Sequence, residues 1–111
     1  MPVVKDTADL PVQVTDGVTE TLVAGPAVFG APVPMRMRRV ALERGRTAAL
    51  DAGGAEVMAY VVAGGGAMAV AGERHELAPE SMAWIEPGPF ELEAGDEGLV
   101  VLVAEAPDPG R

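Results

Sequence analysis

Short apolar runs separated by turn residues dominate the chain, and several of them admit a polar residue at every second position. Met35-Arg36-Met37-Arg38 is the clearest case. Its alternation leads into Arg39-Val40-Ala41-Leu42 and predicts a strand with two unlike faces. Residues 11–15 and 21–24 are β-branched runs flanked by Asp16-Gly17 and Gly25-Pro26, which predicts early strands joined by tight turns. Residues 57–63 read as a strand buried on both faces. Gly64-Gly65-Gly66 reads as a turn that reverses it into residues 67–71, and Gly72-Glu73 as the turn before His75-Glu76-Leu77. Pro79-Glu80, Pro87-Gly88-Pro89 and Gly95-Asp96-Glu97-Gly98 then precede strands at residues 82–85, 90–93 and 99–105. Turn signals at spacings of roughly eight to twelve residues are the rhythm of a sandwich or barrel. The predicted class is all-β in a single domain, with N-terminal strands over residues 1–34, a barrel over 35–105 and a frayed tail over 106–111.

A chain of 111 residues has room for one core, burying roughly two-thirds of the surface its unfolded form exposes. Its 49% hydrophobic and 23% charged residues exclude a disordered chain, while 14 glycines and 10 prolines favour strands and turns over helices. Seventeen acidic against eight basic side chains give a net charge of −9, which repels a polyphosphate backbone and excludes nucleic acid as a partner. Without cysteine there are no disulfides, thiolate nucleophiles or thiolate metal sites. Residues 57–72 form the longest uncharged stretch, too short and too glycine-interrupted to span a membrane. The N-terminal Met1-Pro2-Val3-Val4-Lys5-Asp6 lacks the character of a secretory signal, so a cytoplasmic location is expected.

Two stretches, Val57-Met58-Ala59-Tyr60-Val61-Val62-Ala63-Gly64 and Ala78-Pro79-Glu80-Ser81-Met82-Ala83-Trp84-Ile85-Glu86-Pro87-Gly88-Pro89-Phe90-Glu91, resemble the two motifs of the cupin superfamily. The likeness extends over roughly residues 35–105 and implies an RmlC-like jelly roll, a double-stranded β-helix that pairs across one sheet into a homodimer. In metal-binding members the first motif carries H-x-H, a glutamate and then a glycine. With that glycine at Gly64, the glutamate falls on Val57 and the histidines on Asp51 and Gly53, or on Leu50 and Ala52. Glu56 is one residue out of register, which on a strand is the opposite face. The histidine of the second motif falls on Glu91. Two carboxylates without imidazole make a poor transition-metal site, so neither metal nor other cofactor is expected.

Glu91 is therefore the first catalytic candidate, because the resemblance aims it into the barrel mouth. An apolar setting beside Val57, Val61 and Phe90 would disfavour its charged form and suit it to acid–base work. The alternative is that it alternates toward solvent like Glu93. Asp51, also at an aimed position, is the second catalytic candidate, and His75 is the third if it faces inward with Leu77 rather than lying exposed among acidic neighbours. Arg36 and Arg38 share a face with Val40 and Leu42 and are candidates for binding substrate from a cavity-facing strand. The commoner arrangement is an edge strand with Met35 and Met37 inward and the arginines in water. Tyr60, Trp84 and Phe90 either fill the core or form a stacking wall for substrate.

Three functions fit these residues. The first is a metal-independent cupin acting on a small organic molecule by acid–base chemistry, of isomerase, epimerase, dehydratase or cyclase type. The second is a non-catalytic module that binds a small molecule or partner. The third and weakest is a metal enzyme with a carboxylate-only site at Asp51, Glu56 and Glu91.

Overall fold

The computed structural model describes residues 6, 8, 10–25, 30, 35–51 and 53–106. The expectations for the N-terminal segment, for residues 26–29 and 31–34, and for the tail beyond Ala106 lie outside the described residues. Among the described residues eight strands follow one another: β1 (Gln13–Thr15), β2 (Val18–Ala24), β3 (Arg36–Leu42), β4 (Thr47–Asp51), β5 (Glu56–Val70), β6 (Glu73–Leu77), β7 (Met82–Ile85) and β8 (Pro89–Ala106). No helix among the described residues is long and apolar enough to cross a membrane.

β5 and β8 are much longer than the rest, and each serves both layers of a double-sheet jelly roll. Residues 99–106 of β8 pair with β3 on one side and with residues 56–64 of β5 on the other, giving one layer in the order β1-β2-β3-β8-β5-β7. Residues 89–94 of β8 pair with β4 and with residues 66–69 of β5, giving the second layer, β4-β8-β5-β6. All pairings are antiparallel.

The triple glycine does not reverse the chain. β5 runs on through Gly64-Gly65-Gly66 and β8 through Gly95-Asp96-Glu97-Gly98, so both glycine groups mark the bend at which a strand passes from one layer to the other. Between Val61 and Ala63, and again between Gly64 and Gly66, the register of β5 on β8 slips. Bulges of this kind bend a strand and increase its twist. A Cβ on Gly64 would overlap the carbonyl oxygen of Gly98, and one on Gly66 that of Glu93, so the two backbones come closer than any side chain permits. True reversals occur at Asp16-Gly17 and Ala71-Gly72, where both central residues have positive φ, as a two-residue hairpin requires.

Alternation then decides what is inside. Val40 and Leu42 of β3, Val57, Ala59 and Val61 of β5, and Leu99, Val101 and Val103 of β8 face one another between the layers. Beyond the glycine bend the inward positions of β5 change from odd to even, and Met68 joins Phe90, Leu92 and Ala94 of β8 in the same core. Core filling accounts for Phe90.

Candidate functional site

Because β3 lies between β2 and β8, it has no free edge, and the two-residue period that buries Val40 and Leu42 turns Arg36 and Arg38 to the same interior side. The edge-strand arrangement expected for this segment is thereby corrected. Arg36 sits directly opposite Glu105 of β8, and Arg38 opposite Val103, one inward step further along. Nη2 of Arg36 donates to Oε2 of Glu105 at 2.5 Å, and Nη2 of Arg38 donates to Oε1 of the same carboxylate. Nη1 of Arg38 also donates to Oε1 of Glu20 on β2, at 3.1 Å. Exposure grades outward along this network: the side chain of Glu105 is 2% exposed, that of Arg38 23% and that of Arg36 55%. Nε of Arg38 is buried and has no hydrogen-bond partner among the described residues.

Glu105 is not among the candidates that the sequence marks, although it continues the inward series Leu99, Val101, Val103. The signal was the pairing itself. Once Arg36 and Arg38 face in, a buried carboxylate must meet them, because an unpaired charge there is too costly to keep.

The network forms one wall of a cleft of about 540 Å³, within the size range of small-molecule sites. Arg36, Arg38, Glu20, Gln13 and Asp51 supply its polar surface, while Leu10, Pro11 and Leu22 supply an apolar side. Asp51 ends β4 and is exposed at the cleft; its Oδ1 accepts the backbone N–H of Gly53 at 2.8 Å. Arg36, Arg38 and Asp51 are thus brought together.

The other candidates lie elsewhere. Glu91 is exposed on the outer face, opposite Ala49 of β4 and Ala69 of β5, because Phe90 and Leu92 on either side of it take the interior. It does not point into the barrel mouth, and its predicted apolar setting is absent. His75 lies opposite Met68 and lines a second groove of about 510 Å³ with Met68, Ile85 and Glu73. Its side chain is more than half exposed, with Nε2 3.5 Å from Oε2 of Glu73. Half-buried Tyr60 pairs with Met82, and exposed Trp84 pairs with Met58, on the outer side of β5 and β7; Trp84 also lines the second groove with His75, and among the described residues no aromatic side chain lines the cleft at Arg36. On the same outer side of the smaller layer, Arg74 of β6 reaches across β5 to Glu93 of β8 at 3.2 Å. That bond, and a second that Arg74 donates to Glu76, hold the Arg74 guanidinium above its ordinary range.

Solved structures share this arrangement of strands. KdgF from Halomonas sp. is 18% identical and superposes with a TM-score of 0.75 over 95% of this chain and 94% of its own. An RmlC-like cupin from Shewanella frigidimarina is 11% identical, with a TM-score of 0.75 over 95% and 90%. The fold is that of the cupin superfamily. Ectoine synthase from P. lautus is a further relative in structure, 13% identical with a TM-score of 0.78 over 96% of this chain and 78% of that one. No protein-family model matches the sequence, and no curated protein does.

The cupin fold raises the question of a metal, and the residues present do not fit one. At the ligand positions of the cupin motifs, Leu50 and Val57 are buried aliphatic side chains, Asp51 lies at the cleft and Glu91 faces outward. Among the described residues no three of His, Asp and Glu gather closely enough to hold an ion. The carboxylate set Asp51, Glu56 and Glu91 does not assemble, because Val57 takes the inward position beside Glu56 and Phe90 the one beside Glu91.

Proposed function

We propose that this cupin binds a small organic molecule in the cleft at Arg36 and Arg38. The supporting observation is the ion network Arg36–Glu105–Arg38–Glu20 beside a buried core made entirely of hydrophobic side chains. Burying such a group gives little net stability over an apolar packing of the same volume, so its place at a cleft speaks for recognition. Two guanidinium groups fixed by carboxylates are also held in orientation before any ligand arrives, which lowers the entropic cost of binding. Presenting the full chain with a metabolite mixture and identifying retained compounds by mass spectrometry tests this. Compounds retained by the wild type and released by the triple variant Arg36→Met, Arg38→Met, Glu105→Leu are expected; retention that ignores the triple variant would refute the site.

Acid–base turnover of the bound molecule, without a metal, is a second reading, favoured by Glu20. Only Oε1 of this carboxylate is engaged, by Arg38; Oε2 has no partner among the described residues. A carboxylate beside guanidinium groups can take a proton from carbon next to a carbonyl while the cation stabilises the resulting oxyanion, the step common to isomerases, epimerases and dehydratases. This role passes to Glu20 and Asp51 from the outward-facing Glu91 and the remote His75. If the reading holds, Glu20→Gln lowers turnover of the bound ligand by about 10²-fold or more, beyond whatever affinity it also loses. A parallel loss of affinity with unchanged turnover of bound ligand would leave binding alone.

The chain is also inferred to pair with a second copy through the outer face of the larger layer, where Met58, Met82 and Trp84 are exposed beside Tyr60. Light scattering should give twice the 11.4 kDa chain mass. Trp84→Glu should return it to one chain without loss of fold.

A further inference from the structure

Resting on the cleft proposed above, we infer that its ligand is a zwitterion, a small molecule carrying a carboxylate at one end and an ammonium group at the other. The cleft is not a basic pocket. Two guanidinium groups face two carboxylates across its lining, and Glu105 behind them already engages both arginines. A simple anion drawn to the arginines would meet Glu20 and Asp51 in the same space, in a chain whose net charge is −9. A simple cation would meet Arg36.

The unengaged atoms carry both signs. Arg36 uses only Nη2 on Glu105, and among the described residues its Nη1 and Nε are free on a side chain that is more than half exposed. The second N–H of Nη2 also remains, and with that of Nε or of Nη1 it forms the one edge of the planar donor fork left to receive a carboxylate through two parallel hydrogen bonds. Arg38 is less accessible: each terminal nitrogen already donates to a carboxylate, Nε is buried, and the side chain is 23% exposed. On the acceptor side, Oε2 of Glu20 and Oδ2 of Asp51 have no partner among the described residues. Leu22, Pro11 and Leu10 supply an apolar side along which a short hydrocarbon spacer can lie. A molecule that places a carboxylate on Arg36 and an ammonium against Asp51 or Glu20 meets groups of opposite sign at both of its ends.

Amide-resolved NMR titration of the full chain with glycine, β-alanine, 4-aminobutanoate and 5-aminopentanoate, each beside the matching plain carboxylate and plain amine, tests the assignment. At least one amino acid of the series is expected to shift cleft resonances and to bind about tenfold tighter than either single-charge counterpart, as a charge-assisted pair at each end predicts. Arg36→Met should abolish the carboxylate's share and Asp51→Asn or Glu20→Gln the amine's, each weakening the amino acid about tenfold. A plain carboxylate or amine binding as tightly as the amino acid would overturn the zwitterion while leaving the cleft as a binding site. If no member of any series moves cleft resonances, the zwitterion and the cleft reading fall together.

Discussion

Glu105→Leu is expected to cost about 3 kcal/mol of folding stability, the usual result of stranding buried charge by removing its partner. Arg38 would retain only its bond to Glu20, and Arg36 would lose its bond on the interior side. The triple variant Arg36→Met, Arg38→Met, Glu105→Leu should recover most of that loss, because long apolar side chains of similar volume can fill the same layer beside Val40, Val57 and Val103. Urea denaturation followed by tryptophan fluorescence or circular dichroism reads both. A triple variant as unstable as the single one would mean that the network holds the barrel together, and the case for a recognition site would weaken accordingly.

Gly66→Ala carries the other large effect. Its new methyl group would be driven into the carbonyl of Glu93, and since the obstacle is backbone in a central strand pair, neither strand can yield without giving up pairings. A loss of about 3 kcal/mol or more is expected, a large part of what a domain of this size has to lose. Gly72→Ala is the control, since a Cβ there meets nothing within 4 Å and only the positive φ of 80° is penalised, at about 1–2 kcal/mol. Equal destabilisation of the two variants would show that conformational strain, rather than closeness of β5 to β8, governs the bend.

These two residues also show what the sequence made legible. Turn chemistry and alternation mark the strands and the hairpin at Asp16-Gly17, because a two-residue hairpin is a local structure, and they set the second turn at Gly72-Glu73, one residue past its position at Ala71-Gly72. Gly64-Gly65-Gly66 is composed of the same residue type, yet whether it reverses or bends depends on Gly98 and Glu93, some thirty residues away. Arg36 and Arg38 were correctly grouped with Val40 and Leu42, but the direction of that face follows from β3 having β8 as a neighbour, which no local pattern states. Glu105 closes a run, Leu99-Val100-Val101-Leu102-Val103-Ala104, that is apolar on both faces and so hides its own alternation. Counting from Gly88 placed Glu91 in the barrel, whereas burial of Phe90 and Leu92 turned it out. Spacing within a motif fixes a face only when the strand starts where the motif assumes.

β8 comes after every other strand in the chain and supplies the pairing partner for β3, β4 and β5. During synthesis the earlier strands therefore wait with their aliphatic faces uncovered, and assembly depends on contacts between segments far apart in the chain, which makes folding slow and late. Arg36 must wait as well, for a carboxylate sixty-nine residues further on. A partly made or partly unfolded chain has no cleft to offer, so the ability to bind appears together with the finished barrel and serves as its own report that folding is complete.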